Sequence, residues 1–336
     1  MSFSAKVTKF KRQKDVVELT AGRYKATVAP FLGSNVIHFT DEENRIDFFR
    51  NDDSRSLKEI MREPVIYGFP TLYLPNRLHN GILKASDHTY EFPVNETALG
   101  NFLHGFLHKR EHEIVATEVT EDSAIAKTSY TYNEADPMYK YFPVKFRADY
   151  TFALKEDGLH YEFTMTNLSR TRQLPFGMCN HTAFNGPFVE GAEGKDTRLY
   201  VPITDKWVLD ENCIPTLEIR QLSNHDRQYL TGSQVPVLHD IDNDVYNITM
   251  GEDGGEPFYG SIMTDEASGK QIVYEVSKDF KFWIIWNHKG DKEYFCVEPM
   301  TWMIDAPNLG IAPSESGYLE LAPGESKTVS EHIYSR

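Results

Sequence analysis

Residues 145–167 read KFRADYTFALKEDGLHYEFTMTN, and this stretch decides the fold. In its first half Phe146, Ala148, Tyr150, Phe152 and Leu154 take every second place; in its second half Leu159, Tyr161, Phe163 and Met165 do the same. A period of two lines one face of an extended chain with apolar groups. Between the halves stands Lys155-Glu156-Asp157-Gly158, whose Asp-Gly pair is a hairpin-turn signal. Two half-buried antiparallel strands are expected. Similar alternation runs through Glu113–Val119 and Ala124–Tyr132, and further strands are expected at Gln271–Val276, 280–286 and 295–298. Residues 23–28 and 36–40 form an opening pair joined around Pro30 and Gly33. Near the end, 318–323 is a strand entering a Pro-Gly turn, and a last strand lies within 327–334. The segment GEDGGE at 251–256 reads as a surface loop, and one short helix is expected at 56–61 with Ser54 or Ser56 as its cap. Many short strands with few helices predict an all-β chain, a large antiparallel β-sandwich or barrel. With no repeat and no linker composition, the expectation is a single domain over residues 1–336.

The 336 residues carry 35 basic and 50 acidic side chains, a formal charge of −15. That balance opposes nucleic acid and anionic membranes as partners, since both need a positive surface. No run of about eighteen apolar residues is present to span a membrane, and the start, Met-Ser-Phe-Ser-Ala-Lys, has no apolar leader core. The three cysteines, Cys179, Cys213 and Cys296, are far apart and lack metal-ligand spacing. Reduced thiols fit a cytoplasmic protein. A monomer or a homodimer is expected.

Four clusters hold side chains suited to chemistry. In Leu74-Pro75-Asn76-Arg77-Leu78-His79-Asn80-Gly81, an Arg on a turn can aim a fork of donors at ligand oxygens. In 101–112, His104, His108 and His112 recur every fourth residue. On a helix they would share a face, but Gly105 weakens a helix and the alternation beyond argues for extended chain. There, four residues span about 13 Å, too far for two ligands of one ion. No metal is expected. In 174–187 (LPFGMCNHTAFNGP), His181 is a candidate general acid or base, because a neutral-range pKa gives access to both protonation states. In 295–301 (FCVEPMT), Glu298 directly precedes Pro299. The strand is expected to end there, leaving the carboxylate at a sheet rim or cleft, where lost solvation would raise its pKa. A backbone-bonded structural His and a solvated strand-end Glu are the plainer roles for such residues.

Taken in this order and spacing, the clusters resemble the aldose 1-epimerase (galactose mutarotase) family over most of the chain. Asn76-Arg77, Leu103-His104-Gly105, His181 with Phe184-Asn185, Glu298 and the final LAPGE at 321–325 carry the likeness. The resemblance implies a large antiparallel β-sandwich with a sugar in a broad cleft and no cofactor. It implies His181 as general acid, Glu298 as general base, and Arg77 and His104 as ligands of sugar hydroxyls and ring oxygen, with Asn76 supporting Arg77. A sugar-binding Asp of the family is matched best by Asp244, with Asp242 competing. Where many galactose mutarotases have a Gln near the base, this chain reads FKFWIIWN at 280–287, so Trp283 or Trp286 shapes that part of the pocket, Trp286 being the one assigned to substrate. That departure, with Thr182-Ala183 and Gly105-Phe106 in place of commoner pairs, leaves the choice of aldohexose open. The implied reaction is ring opening and closure of a free hexose, interconverting its anomers. The alternatives are a hexose-6-phosphate mutarotase, which needs extra cations (Lys109-Arg110 read as a solvated strand start), and a non-catalytic carbohydrate-binding protein on the same fold. A glycoside hydrolase is disfavoured, because it ordinarily pairs two carboxylates where Glu298 is matched with a His.

Overall fold

A computed structural model describes residues 2–290 and 293–336. The hairpin forms as read. Phe146–Lys155 pairs with Gly158–Asn167 in continuous antiparallel register from Phe146↔Asn167 to Lys155↔Gly158. Phe146, Ala148, Tyr150, Phe152 and Leu154 are all buried. The turn centre is Glu156-Asp157, and Gly158 is needed for a different reason: a Cβ there would lie 2.4 Å from the Ile333 carbonyl of the adjoining strand.

This hairpin is the middle of an eight-stranded antiparallel sheet. Its order is Glu113–Val119, Ala124–Tyr132, Phe146–Lys155, Gly158–Asn167, Ser326–Ser335, Gln271–Val276, Gly260–Asp265 and Thr197–Tyr200. A second sheet faces it, running Pro215–Gln221, Ile203–Leu209, Asp244–Ile248, Phe282–Trp286, Tyr294–Met300, Cys179–Asn180 and Thr71–Leu72, with Ala183–Asn185 also on Tyr294–Met300. The inner faces meet through large rings: Tyr274 packs on Trp283 at 5.9 Å between centroids and on Phe184 at 5.7 Å. Polar contacts cross the same layer, with Thr71 and Tyr161 hydroxyls 2.7 Å apart. The all-β antiparallel sandwich expected from the sequence is therefore the architecture.

Several local expectations are corrected. The opening pair, Tyr24–Ala29 with Asn35–Asp41, belongs to a five-stranded meander that starts with Phe3–Phe10 and Lys14–Ala21. Residues 251–256 are not a plain loop: Gly251–Asp253 and Glu256–Phe258 pair as a hairpin around Gly254 and Gly255, both at positive φ. The stretch 104–112 is not extended; His108 lies in a 3-10 turn, Leu107–Lys109, held by backbone bonds such as Arg110 N–H to the Leu107 carbonyl. The short helix, in contrast, forms as read, over Leu57–Arg62 with Ser56 as its cap and a capping box between Ser56 and Glu59.

The strand carrying Glu298 does not stop at Pro299. It runs from Tyr294 to Met300, all buried. On one side, Phe282–Trp286 pairs along it from Met300 to Cys296. On the other, Met300 meets Cys179 and Cys296 meets Ala183, so Val297, Glu298 and Pro299 have no paired residue there. A proline lacks an N–H to give, so such an interruption tolerates it. The interruption is also where the chain leaves the sheet at His181.

Candidate active site

Glu298 owes its position to the period of the strand. Opposite residues of an antiparallel pair share a face, so Glu298 with Ile284, and Cys296 with Trp286, point to one side, while Val297 and Ile285 point into the core. His181 enters through the interruption beside them, its backbone N–H held by the Pro70 carbonyl at 3.0 Å. Its Nε2 stands 3.3 Å from Glu298 Oε1, and its Nδ1 is 3.6 Å from Cys296 Sγ. The other carboxyl oxygen, Glu298 Oε2, accepts from the Cys179 thiol at 3.7 Å. His104 completes the floor, its ring edge-on to His181 at 5.3 Å, and Trp286 packs edge-on at 5.9 Å from the other side.

Arg77 comes from the Arg77–His79 strand, paired with Asn101–Leu103 next to His104. Its Nε and Nη2 both donate to Glu96 at 2.9 Å, and Nη1 reaches Asn76 Oδ1 at 3.3 Å. The fork is thereby aimed by a bidentate carboxylate and only one end of the guanidinium is left to turn toward the cavity. Burial works against the charge on Arg77, but the Glu96 contacts prevail and hold it firmly protonated.

These groups line one cavity of about 340 Å³, a size suited to a small ligand. Arg77, His104, His181, Trp286, Glu298 and Asn76 are all on its wall. Asp244 is not. It pairs opposite Ile285, so the strand period turns it away from Trp286 and Glu298, and its carboxylate is taken by Lys206 Nζ at 2.6 Å. Its neighbour Asn243 faces the cavity instead, while Asp242 accepts from Asn243 Nδ2 at 2.8 Å. Sequence reasoning also missed the wall formed by residues 62–66, which follows the capped helix and carries no motif. Lys109 and Arg110 do not start a strand: Lys109 is exposed at the end of the 3-10 turn and borders the cavity, and Arg110 is tied to Asp136 through two hydrogen bonds of 2.5 and 2.9 Å. Asn76, His104 and Asn243 all hold left-handed backbone, with φ of 49°, 65° and 54°.

His181 and Glu298 are dry, 5% and 2% exposed. Burial raises the Glu298 carboxyl to about 8, although the Cys179 thiol and Arg77 pull the other way. Burial likewise depresses His181 to about 4. Desolvation penalises each charge, so the pair holds one proton between them across the neutral range. His104 is also driven well below the ordinary histidine range, first by burial and then by His181. His181, Cys296 and Glu298 offer donor atoms within 4.8 Å of one another. A metal would need the thiolate, yet burial and the nearby Glu298 push the Cys296 thiol far up, and the two ring nitrogens of His181 face different partners. The donor set therefore suits a hydrogen-bonded acid–base pair better than an ion.

The aldose 1-epimerase family profile matches residues 15–334. A galactose mutarotase-like protein of Clostridium acetobutylicum superposes with a TM-score of 0.97 at 29% identity, covering 99% of this chain and 98% of that one. Galactose 1-epimerase from Lactobacillus acidophilus shares the fold at a TM-score of 0.74 and 14% identity, over 100% and 99% of the two chains. A probable aldose 1-epimerase of Arthroderma benhamiae is 26% identical over 178 residues, which is 50% of this chain and 39% of that protein's length. The chain belongs to the aldose 1-epimerase family.

Proposed function

We propose that this protein is an isomerase that interconverts the α and β anomers of a free aldohexose. The observation that carries the reading is the contact of Glu298 with His181, 3.3 Å apart on the floor of a sugar-sized cavity. Ring opening removes the proton of the anomeric hydroxyl and adds one to the ring oxygen; closure on the other carbonyl face reverses both transfers. The pair holds the single proton this exchange needs. With the proton on His181, Glu298 is a carboxylate able to take the hydroxyl proton while His181 delivers to the ring oxygen. Each positioned transfer is worth about 10²–10⁴ in rate. Arg77, fixed by Glu96, orients the sugar and stabilises charge developing on oxygen, and His104, half-buried and held neutral, offers a further polar contact. Trp286 supplies an apolar face for the C–H side of the ring.

A second reading keeps the chemistry and adds a phosphate. Lys109 borders the cavity, is exposed, and has no ion pair among the described residues, so its ammonium is placed to meet an anion.

Polarimetry tests both. Fresh α-glucose and α-galactose are expected to relax faster with protein, and Glu298→Gln and His181→Asn to remove the acceleration. Acceleration confined to a hexose 6-phosphate would select the second reading; none with either would leave a carbohydrate-binding protein on this fold.

A further inference from the structure

The opposite face of the molecule carries a second cluster of histidines and carboxylates. In the eight-stranded sheet, Gly158–Asn167, Ser326–Ser335 and Gln271–Val276 are consecutive neighbours. Their register puts His160 directly across from His332, and His332 directly across from Glu275. The three side chains therefore form one row across three strands. Their flanking neighbours Tyr161, Glu331 and Tyr274 are buried in the core, so the row lies on the outer face. Asp157, in the turn, reaches the end of the row, with His160 Nε2 at 2.9 Å from its Oδ1.

We propose that this row is a site for a divalent transition-metal ion, held by His160, His332 and Asp157, with Glu275 orienting His332 from its other ring nitrogen. Donor atoms of Asp157, His160 and His332 already lie within 4.8 Å of one another; His332 Nε2 faces the Asp157 carbonyl oxygen at 2.9 Å, and Glu275 Oε2 stands 3.6 Å from Nδ1 on the far side of the ring, the place of a carboxylate that fixes a metal-binding imidazole. Tetrahedral zinc with bonds near 2.0–2.2 Å spaces its ligands roughly 3.3 Å apart, so side-chain rotation has to draw the three donors together. Two imidazoles with a carboxylate select zinc, cobalt or nickel over magnesium or calcium, which favour all-oxygen shells. The rings of His160 and His332 stack at 4.0 Å. Tyr334 supports the set twice: its ring packs on His332 at 4.7 Å and its hydroxyl donates to Glu275 Oε1 at 3.2 Å. Such supporting contacts orient first ligands. The ligands stand on central strands, and the row borders a depression of about 300 Å³, open to ions. No sequence spacing announces it, because the ligands come from distant parts of the chain. An ion here would pin two strands and a turn together and favour the folded state by mass action.

Zinc titration by calorimetry tests the site. The chain used is full length with His181→Asn, which disables the buried His181, Cys296 and Glu298 set. One ion per chain with a micromolar or tighter Kd is expected. His332→Ala and His160→Gln, each checked by circular dichroism in chelator, should weaken binding at least tenfold, and saturating zinc should raise the parent's Tm by roughly 3–6 °C at a hundredfold excess over Kd. Cobalt should give visible bands of nitrogen and oxygen ligation without a thiolate charge-transfer band. Unchanged affinity in both histidine variants, no binding below millimolar zinc, or a thiolate band accompanying the bound ion would overturn the proposal.

Discussion

Glu298 has exchanged water for a thiol, an imidazole and the walls of a strand interior, and lost solvation shifts its pKa upward. Its carboxyl is raised to about 8 and His181 is depressed to about 4. Below about pH 4 the pair gains a second proton; above about pH 8 it loses the one it shares. Mutarotation should therefore run at a plateau between those limits and fall on both sides, measured as kcat by polarimetry across pH 3.5–9.5. Glu298→Gln should cost at least about 10² in kcat. The Cys179 thiol helps hold the Glu298 pKa down, so Cys179→Ala should move the alkaline limb upward; an unmoved limb would remove that thiol from the account. Of the residues lining the cavity, His181, Glu298, Arg77, His104 and Trp286 were legible in the sequence because each sits in or beside a short motif. Asp244 was misassigned because Asp242, Asn243 and Asp244 are consecutive, and only strand register shows which of them turns to the cavity.

At the scale of elements, the site depends on a loop crossing that leaves no room for a side chain. Gly105 has φ of 59°, and a Cβ built there would lie 2.0 Å from the Tyr73 carbonyl oxygen and 2.1 Å from the Leu74 nitrogen. Both are backbone atoms and cannot step aside. Gly105→Ala should cost at least about 2 kcal/mol in urea unfolding and, by displacing the adjacent His104, raise KM; a variant of unchanged stability would contradict the crossing described. The hairpin at 145–167 was readable because period-two burial is written in its composition. Two errors share a cause, in that local residue preference was overruled by pairing. Gly254 and Gly255 looked like loop because the strands beside them are three residues long. Pro299 looked like a strand end because the interruption that accommodates it is made by residues 179–183, more than a hundred positions away.

Between the two sheets lies a second buried carboxyl, with consequences for the molecule as a whole. Glu331 accepts from Asn180 Nδ2 at 2.6 Å and from the Tyr274 hydroxyl. Burial lifts it from 4.5 to about 8, although both donors act against the rise. A carboxyl raised in the folded state contributes stability that is complete below its unfolded value and lost as pH climbs through its folded one. Glu298 and Glu331 should thus each withdraw stability from about pH 4.5 to pH 8, while the depressed His181 adds stability as pH rises from about 4 to 6.5. Glu331→Gln keeps an acceptor for Asn180 and does not ionise. Its urea midpoint should gain on the parent as pH rises from 5 to 9, by the order of a few kcal/mol at the alkaline end; parallel curves would show that Glu331 does not titrate in this way. Nothing local in the sequence marks Glu331, since only the meeting of the sheets makes it buried.

The left-handed backbone at Asn76, His104 and Asn243 also bears on how such a pocket changes over generations. Left-handed conformations are costly for most side chains, above all β-branched ones. Variation at these three places is therefore filtered by backbone strain before any sugar is met. Val65, Ile66, Leu103, Lys109 and Trp286 line the same pocket from ordinary backbone. Those are the positions at which lineages, or a laboratory library, are free to explore new sugars, and sequence diversity among functional descendants should accumulate there first.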